Sequence, residues 1–226
     1  MTFPVMLFAA GFGTRMGALT KDQPKPLISV AGKPLIDHAL DLVRDASPSR
    51  IVVNAHYKAE KIVEHFDGTD VQVLIESPDI LDTGGGLKAA LPVLASDVVV
   101  TMNTDAVWDG PNPLHVLQSA WTDDMDALLL CVPKGQTIGH IGKGDIDIGQ
   151  DGHATWGTET VYSGVQILRA KTVSETPERV FSLKTVWQRL EAKSALHAVV
   201  YPGRWCDVGH PGGIGLAEQM LRSADV

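Results

Sequence analysis

A glycine-rich segment directly after the first apolar run constrains this chain more than any other feature of its sequence. Residues 9–27 read A-A-G-F-G-T-R-M-G-A-L-T-K-D-Q-P-K-P-L, and the apolar residues 5–9 that lead into them are typical of a buried strand. Glycines allow backbone N–H groups to approach a phosphate closely. Arg15 adds a planar, forked cation, and Lys25, held between two prolines, adds a movable point charge. The segment predicts a loop that binds a nucleoside triphosphate.

Two commoner glycine loops do not match this segment. A Walker A loop requires G-x-x-x-x-G-K-[S/T], which is absent, and a dinucleotide fingerprint requires glycine where Met16 stands. Pro24 and Pro26 also prevent an early long helix, which argues against a nicotinamide-dependent oxidoreductase. A mobile glycine loop without a ligand is the simpler alternative. The nearby Arg15 and Lys25 argue against it.

The distribution of charge supports a small anionic substrate. The chain of 226 residues carries a net charge of −8. Residues 1–36 contain four cationic side chains and one acidic side chain, a balance of +3, so the remainder carries −11. Nonspecific nucleic-acid binding is therefore not expected. The length suits one large α/β domain or a domain with a small lobe.

Cysteine content and hydropathy indicate the compartment. Cys131 and Cys206 are too few for a disulfide scaffold and lack metal-ligand spacing, so we expect the reducing cytoplasm. The sequence contains no run of 18 apolar residues, so we expect no membrane span.

Strand-like and helix-like segments alternate through the first half of the chain. Strands are predicted near 5–9, 51–54, 71–75, 97–102 and 127–132, with helices near 34–46, 58–66, 84–94 and 113–121. This alternation predicts an α/β fold whose mostly parallel sheet has helices on both faces. Ligands of such sheets bind beyond the carboxyl ends of the strands, where the glycine loop begins.

The second half is less regular. Residues 138–168 are rich in glycine and β-prone residues, and we interpret them as a β-rich insertion that rejoins the sheet at 165–168. A helix near 183–193, a strand near 196–201 and a final helix near 211–223 are predicted after it.

Two aspartates stand at the ends of predicted strands far apart in sequence. Asp105 ends the segment Asn103-Thr104-Asp105, and Asp207 lies in W-C-D-V-G. Proteins hold Mg²⁺ with one or two carboxylates and substrate phosphates, so this pair could form a metal site. Each aspartate could instead cap a turn or helix.

A third polar segment, E-S-P-D-I-L-D-T-G-G-G-L-K, covers residues 76–88. Consecutive glycines disfavour a helix interior but suit its first turn, where free N–H groups can meet an anion or a base carbonyl. A flexible turn before the helix is the simpler alternative.

In order along the chain, the motifs G-F-G-T-R-M, P-K-P-L, D-T-G-G-G, N-T-D, Y-S-G and W-C-D-V-G resemble those of the sugar-1-phosphate nucleotidyltransferases. The resemblance covers essentially the whole chain. It implies a single catalytic domain, 1–226, with a three-layer Rossmann-like nucleotidyltransferase fold similar to glycosyltransferase-A proteins. It also implies that the β-rich portion around 138–168 binds the sugar, and that a nucleoside triphosphate and a sugar 1-phosphate react with Mg²⁺.

The resemblance assigns roles to individual residues. The catalytic set is Arg15, Lys25, Asp105 and Asp207, the last two also holding the metal. The nucleotide-binding set is Ala10, Gly11, Gly13, Thr14, Glu76, Thr83, Gly84 and Gly85, with Glu76 possessing an alternative role in ordering its loop. The sugar-binding set is Asn103, Ser163 and Gly164.

The motifs D-T-G-G-G, G-K-G-D and W-x-D-V-G are most similar to members that use UTP and N-acetylmuramate 1-phosphate in cell-wall recycling. Mannose- and heptose-1-phosphate guanylyltransferases share nearly all of them. Thr104 replaces the glycine of the related N-G-D, and we expect it to narrow the sugar pocket or to change the groups that line it. A nucleotide-sugar-binding regulatory module without catalysis is the remaining alternative. Without an appended lobe, we expect a monomer or weak homodimer.

Overall fold

The computed structural model describes residues 2–224. Its strands are β1 (Val5–Phe8), β2 (Ser29–Val30), β3 (Lys33–Pro34), β4 (Ile51–Ala55), β5 (Gln72–Ile75), β6 (Val98–Asn103), β7 (Ala106–Asp109), β8 (Ala127–Pro133), β9 (Thr137–Ile138), β10 (Ile146–Ile148), β11 (Ala154–Trp156), β12 (Thr160–Arg169), β13 (Leu196–Val200) and β14 (Arg204–Asp207). Its helices are α1 (Leu35–Asp45), α2 (Ala59–His65), α3 (Asp82–Leu94), α4 (Pro113–Ala120), α5 (Ala170–Ser174), α6 (Leu183–Glu191) and α7 (Pro211–Ala224).

The main sheet has nine strands and is mixed, with four parallel and four antiparallel strand pairings. Its central part runs in the order β5, β4, β1, β6, β12, β8 and β13, and β12 is antiparallel to both of its neighbours. The β10–β11 hairpin extends the sheet from the start of β12. Because β1, β4 and β6 are parallel neighbours, their carboxyl ends lie at one edge.

Two layers of helices cover the sheet. Helices α1, α2 and α4 contribute to one buried apolar cluster, and α3, α5 and α6 contribute to the other. Side chains alternate along β1, so Val5 and Leu7 join the first cluster and Met6 joins the second. The fold class predicted from the alternating segments is therefore confirmed.

A smaller sheet brings the end of the chain back to the edge of the main sheet. Strand β14 lies between β7 and β9, antiparallel to β7. Helix α7 packs on this sheet through Ala217 and Met220. The amide of Val208 donates to the carbonyl of Asp105 at 2.8 Å, so the segments that carry Asp105 and Asp207 are joined directly.

Most predicted segments agree with the observed elements to within two residues, and several short ones were not predicted. Helix α3 begins at Asp82 rather than at 84, and α6 ends at Glu191 rather than at 193. The region 138–168 contains strands, as predicted. Helix α5 and strand β7 were not predicted, because elements of four or five residues leave little periodicity.

The structure also shows the state of the two cysteines and the lengths of the helices. Cys131 and Cys206 are buried and free, and burial raises the pKa of each thiol to about 12. Neither is therefore a reactive thiolate at neutral pH. Between residues 2 and 224, every helix is too short or too polar to cross a bilayer.

Candidate active site

A cavity of about 310 Å³ opens at the carboxyl ends of β1, β4 and β6. Its walls combine the glycine loop, the ends of these strands, the start of α3 and the loop after β14. The lining residues are Phe8, Ala9, Ala10, Gly11, Gly13, Thr14, Arg15, Lys25, Pro26, Asn54, Glu76, Ile80, Asp82, Thr83, Asn103, Thr104, Asp105 and Gly209. Five stretches of the chain, within residues 8–26, at 54, within 76–83, at 103–105 and at 209, thus converge at the sheet edge where ligands of such folds bind.

The glycine loop turns tightly at Gly13, which has φ of +63°. A Cβ there would lie 2.9 Å from Cβ of Lys25 and 2.9 Å from Cγ2 of Thr20, so glycine allows the loop to pack against the segment carrying Lys25. Within residues 2–224, the backbone amides of Gly11, Gly13 and Thr14 have no hydrogen-bond acceptor. They are available to a phosphate.

Lys25 and Asp105 form an ion pair inside the cavity. The Nζ atom of Lys25 lies 2.8 Å from Oδ2 of Asp105, and their side chains are 12% and 32% exposed. A short 3-10 helix, Lys25–Leu27, and the end of β6 bring the two residues together. A cation and a carboxylate therefore face the same space.

Asp207 supplies a second carboxylate beside this pair. Burial and then the charge of Asp105 raise the pKa of the Asp207 carboxyl, against the opposing effects of Lys25 and Arg15. A Cβ on Gly209 would lie 2.9 Å from Oδ1 of Asp207 and 3.1 Å from Nη1 of Arg15, so both groups border that glycine. The four residues of the predicted catalytic set are thus neighbours.

The two carboxylates fit a divalent cation that also binds substrate phosphates. Burial, and after it the charge of Asp105, raises the pKa of Asp207, so a cation bound between the two carboxylates would favour their charged forms. Mg²⁺ is typically held by one or two carboxylates together with phosphates. The part of the chain that the structure describes contains no cluster of three or more His, Cys, Asp or Glu residues suited to a metal. Substrate oxygens would therefore complete the coordination.

A buried polar network organises the side of the cavity next to α3. The amide of Ala9 donates to Oδ1 of Asn54 at 2.8 Å, and Nδ2 of Asn54 donates to Oε1 of Glu76 at 2.7 Å. The other oxygen of Glu76 accepts from the amide of Leu81 at 2.7 Å. Both carboxylate oxygens of Glu76 are therefore engaged by the protein, which favours its role in ordering the loop.

The glycines at the start of α3 differ in position from Thr83. Thr83 lines the cavity, whereas Gly84 and Gly85 are buried behind the wall. Their amides donate to the carbonyl of Phe181 at 2.9 and 3.1 Å. In this structure, these two amides are therefore not available to a nucleobase, and we propose no base contact from them.

Among the predicted sugar-binding residues, Asn103 lines the cavity and Ser163 does not. The hydroxyl of Ser163 is buried and donates to the carbonyl of Leu130 at 2.7 Å. Gly164 has φ of +87°, and a Cβ there would lie 2.7 Å from Nδ2 of Asn103. Gly164 therefore allows the amide of Asn103 to lie against β12.

Thr104 has a structural contact that the sequence does not reveal. Its hydroxyl donates to the carbonyl of Phe8 at 2.7 Å, and the residue is 2% exposed. The bond joins the end of β6 to the end of β1, between Asp105 and the glycine loop. Thr104 lines the cavity, but its hydroxyl is directed to the backbone.

Several cavity residues were not among the predicted site residues. Asn54 stands at the end of a strand, a signal that the sequence does contain. Ile80 and Asp82 lie between Glu76 and Thr83, both predicted, so the whole loop could have been included. Asp82 is a non-glycine residue with φ of +60°, a conformation that its sequence position does not indicate.

Comparison with known proteins agrees with this site. Residues 5–213 match the family described as the MobA-like NTP transferase domain. The chain is 35% identical over 97% of its length, and 97% of the relative's, to N-acetylmuramate alpha-1-phosphate uridylyltransferase of Caulobacter vibrioides. It is 25% identical over 91% of its length to mannose-1-phosphate guanyltransferase of Yarrowia lipolytica, of which it spans 60%. The crystal structure of HddC from Yersinia pseudotuberculosis complexed with GMP-PN has a TM-score of 0.79, with 25% identity, 97% coverage of this chain and 100% of that one.

The chain belongs to the MobA-like NTP transferase family. Its relatives define its chemistry as that of a sugar-1-phosphate nucleotidyltransferase, which confirms the class of enzyme expected from the motifs.

Proposed function

We propose that this enzyme transfers a uridylyl group from UTP to N-acetylmuramate 1-phosphate. The observation that carries the proposal is the similarity to the uridylyltransferase of Caulobacter vibrioides, which extends over 97% of both chains. The reaction would return a cell-wall sugar to a nucleotide-linked form. The free, buried cysteines suit the reducing cytoplasm in which we place it, and we propose a monomer or weak homodimer.

The reaction exchanges one phosphoanhydride bond for another. A phosphate oxygen of the sugar 1-phosphate attacks the α-phosphorus of UTP and forms a new P–O bond. The bond between the α-phosphorus and the bridging oxygen breaks, and pyrophosphate leaves with the electron pair. A phosphate monoester has its second pKa at about 6, so the nucleophile is anionic near neutral pH and needs no general base.

The protein's contribution is positioning and neutralisation of charge. Lys25 faces the reacting phosphates from within the cavity, and Arg15 faces the leaving pyrophosphate from the glycine loop. The free amides of Gly11, Gly13 and Thr14 bind phosphate oxygens. Asp105 and Asp207 would hold Mg²⁺, which supplies further neutralisation of phosphate charge when bound.

The two substrates enter from different sides of the cavity. Ala10 and Thr83 contact the nucleoside, and the ordered loop behind Glu76 shapes the space for its base. Asn103, held against Gly164, contacts the sugar phosphate, and the β-rich residues 138–168 form the rest of the sugar pocket. Support for this division comes from the order of the sheet, in which β6 lies on one side of β1 and the strands β4 and β5 lie on the other.

A guanylyltransferase is the second candidate. It is favoured by the mannose-1-phosphate guanyltransferase of Yarrowia lipolytica and by the structural similarity to HddC, which was crystallised with GMP-PN. A binding module without catalysis is not favoured, because the Lys25–Asp105 ion pair lies in the cavity and Asp207 lies beside it.

Pyrophosphate release from purified protein tests the proposal. UTP and GTP are each combined with N-acetylmuramate, N-acetylglucosamine, mannose and heptose 1-phosphates in the presence of Mg²⁺. We expect the highest kcat/KM with UTP and N-acetylmuramate 1-phosphate. If GTP gives the dominant signal, the enzyme is a guanylyltransferase with the same mechanism. If the protein binds nucleotide but releases no pyrophosphate in any combination, it is the binding module. An Asp105→Asn variant controls for contaminating activity.

A further inference from the structure

A segment outside the cavity holds the nucleotide side of its wall in place. Residues 176–183, here called the strap, join α5 to the first residue of α6 and cross the outer surface of residues 77–83, here called the base loop. Ile80, Asp82 and Thr83 of the base loop line the cavity, whereas the cavity lining contains no strap residue within the described part of the chain.

Hydrogen bonds connect the strap to both the base loop and the start of α3. The carbonyl of Phe181 accepts from Gly84 and Gly85, and the amide of Phe181 donates to the carbonyl of Leu81 at 3.3 Å. The amide of Leu183 donates to Oγ1 of Thr83 at 3.0 Å. These four hydrogen bonds hold the backbone of residues 81–85 against the strap.

The contact with Thr83 also determines how its hydroxyl is used. Oγ1 of Thr83 accepts from Leu183 and lies 3.2 Å from Oδ1 of Asp82, to which it donates. The hydroxyl proton therefore points to Asp82 rather than to the ligand. The strap and Asp82 together thus engage the hydroxyl of Thr83 at the cavity wall.

Close packing explains the two glycines behind the wall. A Cβ on Gly84 would lie 2.3 Å from Cε2 of Phe181, and a Cβ on Gly85 would lie 2.3 Å from the carbonyl oxygen of Arg179. A side chain at either position would displace the strap. Gly85 meets backbone, which cannot rotate away as a side chain can.

The outer end of the strap is held by Arg179. Its Nη2 atom donates to the carbonyl of Ser77 at 3.3 Å, and its Nη1 atom lies 4.0 Å from Oδ2 of Asp79. On the cavity side, Glu76 holds the amide of Leu81. The base loop is therefore fixed from both sides.

We infer that the strap is a positioning element for nucleotide recognition, with Phe181 and Arg179 as its positioning residues. The inference rests on the proposed function, because it assigns the nucleoside to the wall formed by the base loop. Displacement of the strap will weaken nucleotide binding and leave the sugar phosphate side, on β6 and β12, largely unchanged.

A methyl group behind the wall provides the sharpest test. Gly85→Ala requires the strap to move, yet alanine favours the helix backbone over glycine, so a weaker helix cannot explain a loss of binding. The matched control is Gly215→Ala in α7, where a Cβ would meet no atom within 4 Å. We expect Gly85→Ala to raise the Kd for UTP, measured by calorimetry, and the KM for UTP by about tenfold, as for an overpacked contact. The KM for the sugar phosphate should change by less than about twofold, and Gly215→Ala should match wild type.

A second variant covers the case in which Gly85→Ala does not fold. The side chain of Arg179 is 60% exposed, so we expect Arg179→Ala to have little effect on the stability of the fold. It should raise the KM for UTP by about two- to fivefold, the size expected for a partly exposed ion pair and hydrogen bond. Lys184→Ala, which removes the same charge beside the strap, is its control.

Hydrogen exchange provides a readout independent of turnover. UTP should slow exchange of the amides of Gly84, Gly85 and Leu183 in the wild-type chain, although none of these residues lines the cavity. Unchanged nucleotide affinity in both variants, equal weakening of both substrates, or unchanged exchange would overturn the inference. If the wild-type chain binds no nucleoside triphosphate, the proposed function fails and the inference with it. Normal wild-type binding with unaffected variants overturns the inference alone.

Discussion

Replacing Thr104 with valine separates a structural role of its hydroxyl from a role in binding sugar. Valine keeps the shape of threonine, so the change creates no cavity. It leaves the carbonyl of Phe8 without the donor that now lies 2.7 Å away, at a site where Thr104 is only 2% exposed. Because Phe8 is only partly buried, we expect the loss of this donor to cost about 1–2 kcal/mol.

The expected loss of stability is large enough to measure. For a chain of this size, each kcal/mol lowers Tm by about 2–4 °C, so a loss of about 2 kcal/mol lowers Tm by about 4–8 °C. Thr104→Ser keeps the hydroxyl and serves as the control. Calorimetry or circular dichroism should show a clearly lower Tm for Thr104→Val than for Thr104→Ser. The relative kcat/KM values for different sugar phosphates should be the same in both variants.

The opposite pattern would refute this reasoning. If Thr104→Val keeps the wild-type Tm and instead changes the preference among sugar phosphates, the hydroxyl contacts the sugar. The expectation drawn from the sequence, that Thr104 narrows the sugar pocket, would then stand.

Three further perturbations address the cavity. Lys25→Met should lower kcat for pyrophosphate release by ~10²-fold or more, because it removes a cation that now lies 2.8 Å from Asp105; a change of less than about threefold would contradict the role given to Lys25. Asp207→Asn should abolish turnover yet raise the Tm of the metal-free protein. Burial and the charge of Asp105 raise the pKa of this carboxyl, so its charged form is penalised in the folded chain. A lower Tm would show that the favourable interactions of Asp207 with nearby cations outweigh that penalty. Gly13→Ala should lower the free energy of unfolding by about 1–2 kcal/mol in denaturant, because residue 13 has φ of +63°. Gly11→Ala should not, because a Cβ at residue 11 meets no atom within 4 Å. Equal stabilities of the two variants would refute the argument.

The sequence predicted the parts of the fold that have long periodic patterns. Strand β1 and helices α1 and α4 lie within two residues of their predicted bounds, because apolar residues recur at the spacing of a buried strand or an amphipathic helix. The order of the strands in the sheet could not be predicted from the sequence. Strand β12 lies between β6 and β8, and both of these partners are distant from it in the chain.

Within the site, motifs predicted which segments converge but not which way each group points. Arg15, Lys25 and Asp105 line one cavity, as their positions after buried strands or in the glycine loop suggested. The amides of Gly84 and Gly85 are instead bound to a carbonyl almost one hundred residues later in the chain. No local pattern reveals such a contact.

Two hydroxyl groups also show that the motifs do not predict which way a side chain points. Ser163 stands in a segment that resembles a sugar-bordering motif and Thr104 in one that resembles a metal-holding motif, and each hydroxyl donates to a backbone carbonyl of a neighbouring strand. Buried hydroxyls require a partner, and which partner is nearest depends on strand pairing rather than on sequence spacing. The directions of these two hydroxyls were consequently not predictable from the sequence.

An internal competition between substrates tests the central claim most directly. The enzyme is given UTP and GTP at equal concentration, together with equal amounts of N-acetylmuramate, N-acetylglucosamine and mannose 1-phosphates and Mg²⁺. Mass spectrometry of the early products then gives the ratios of kcat/KM. We predict that UDP-N-acetylmuramate is the dominant product and that Lys25→Met forms almost none. Dominance of GDP-mannose, or equal formation by wild type and Lys25→Met, would contradict the account.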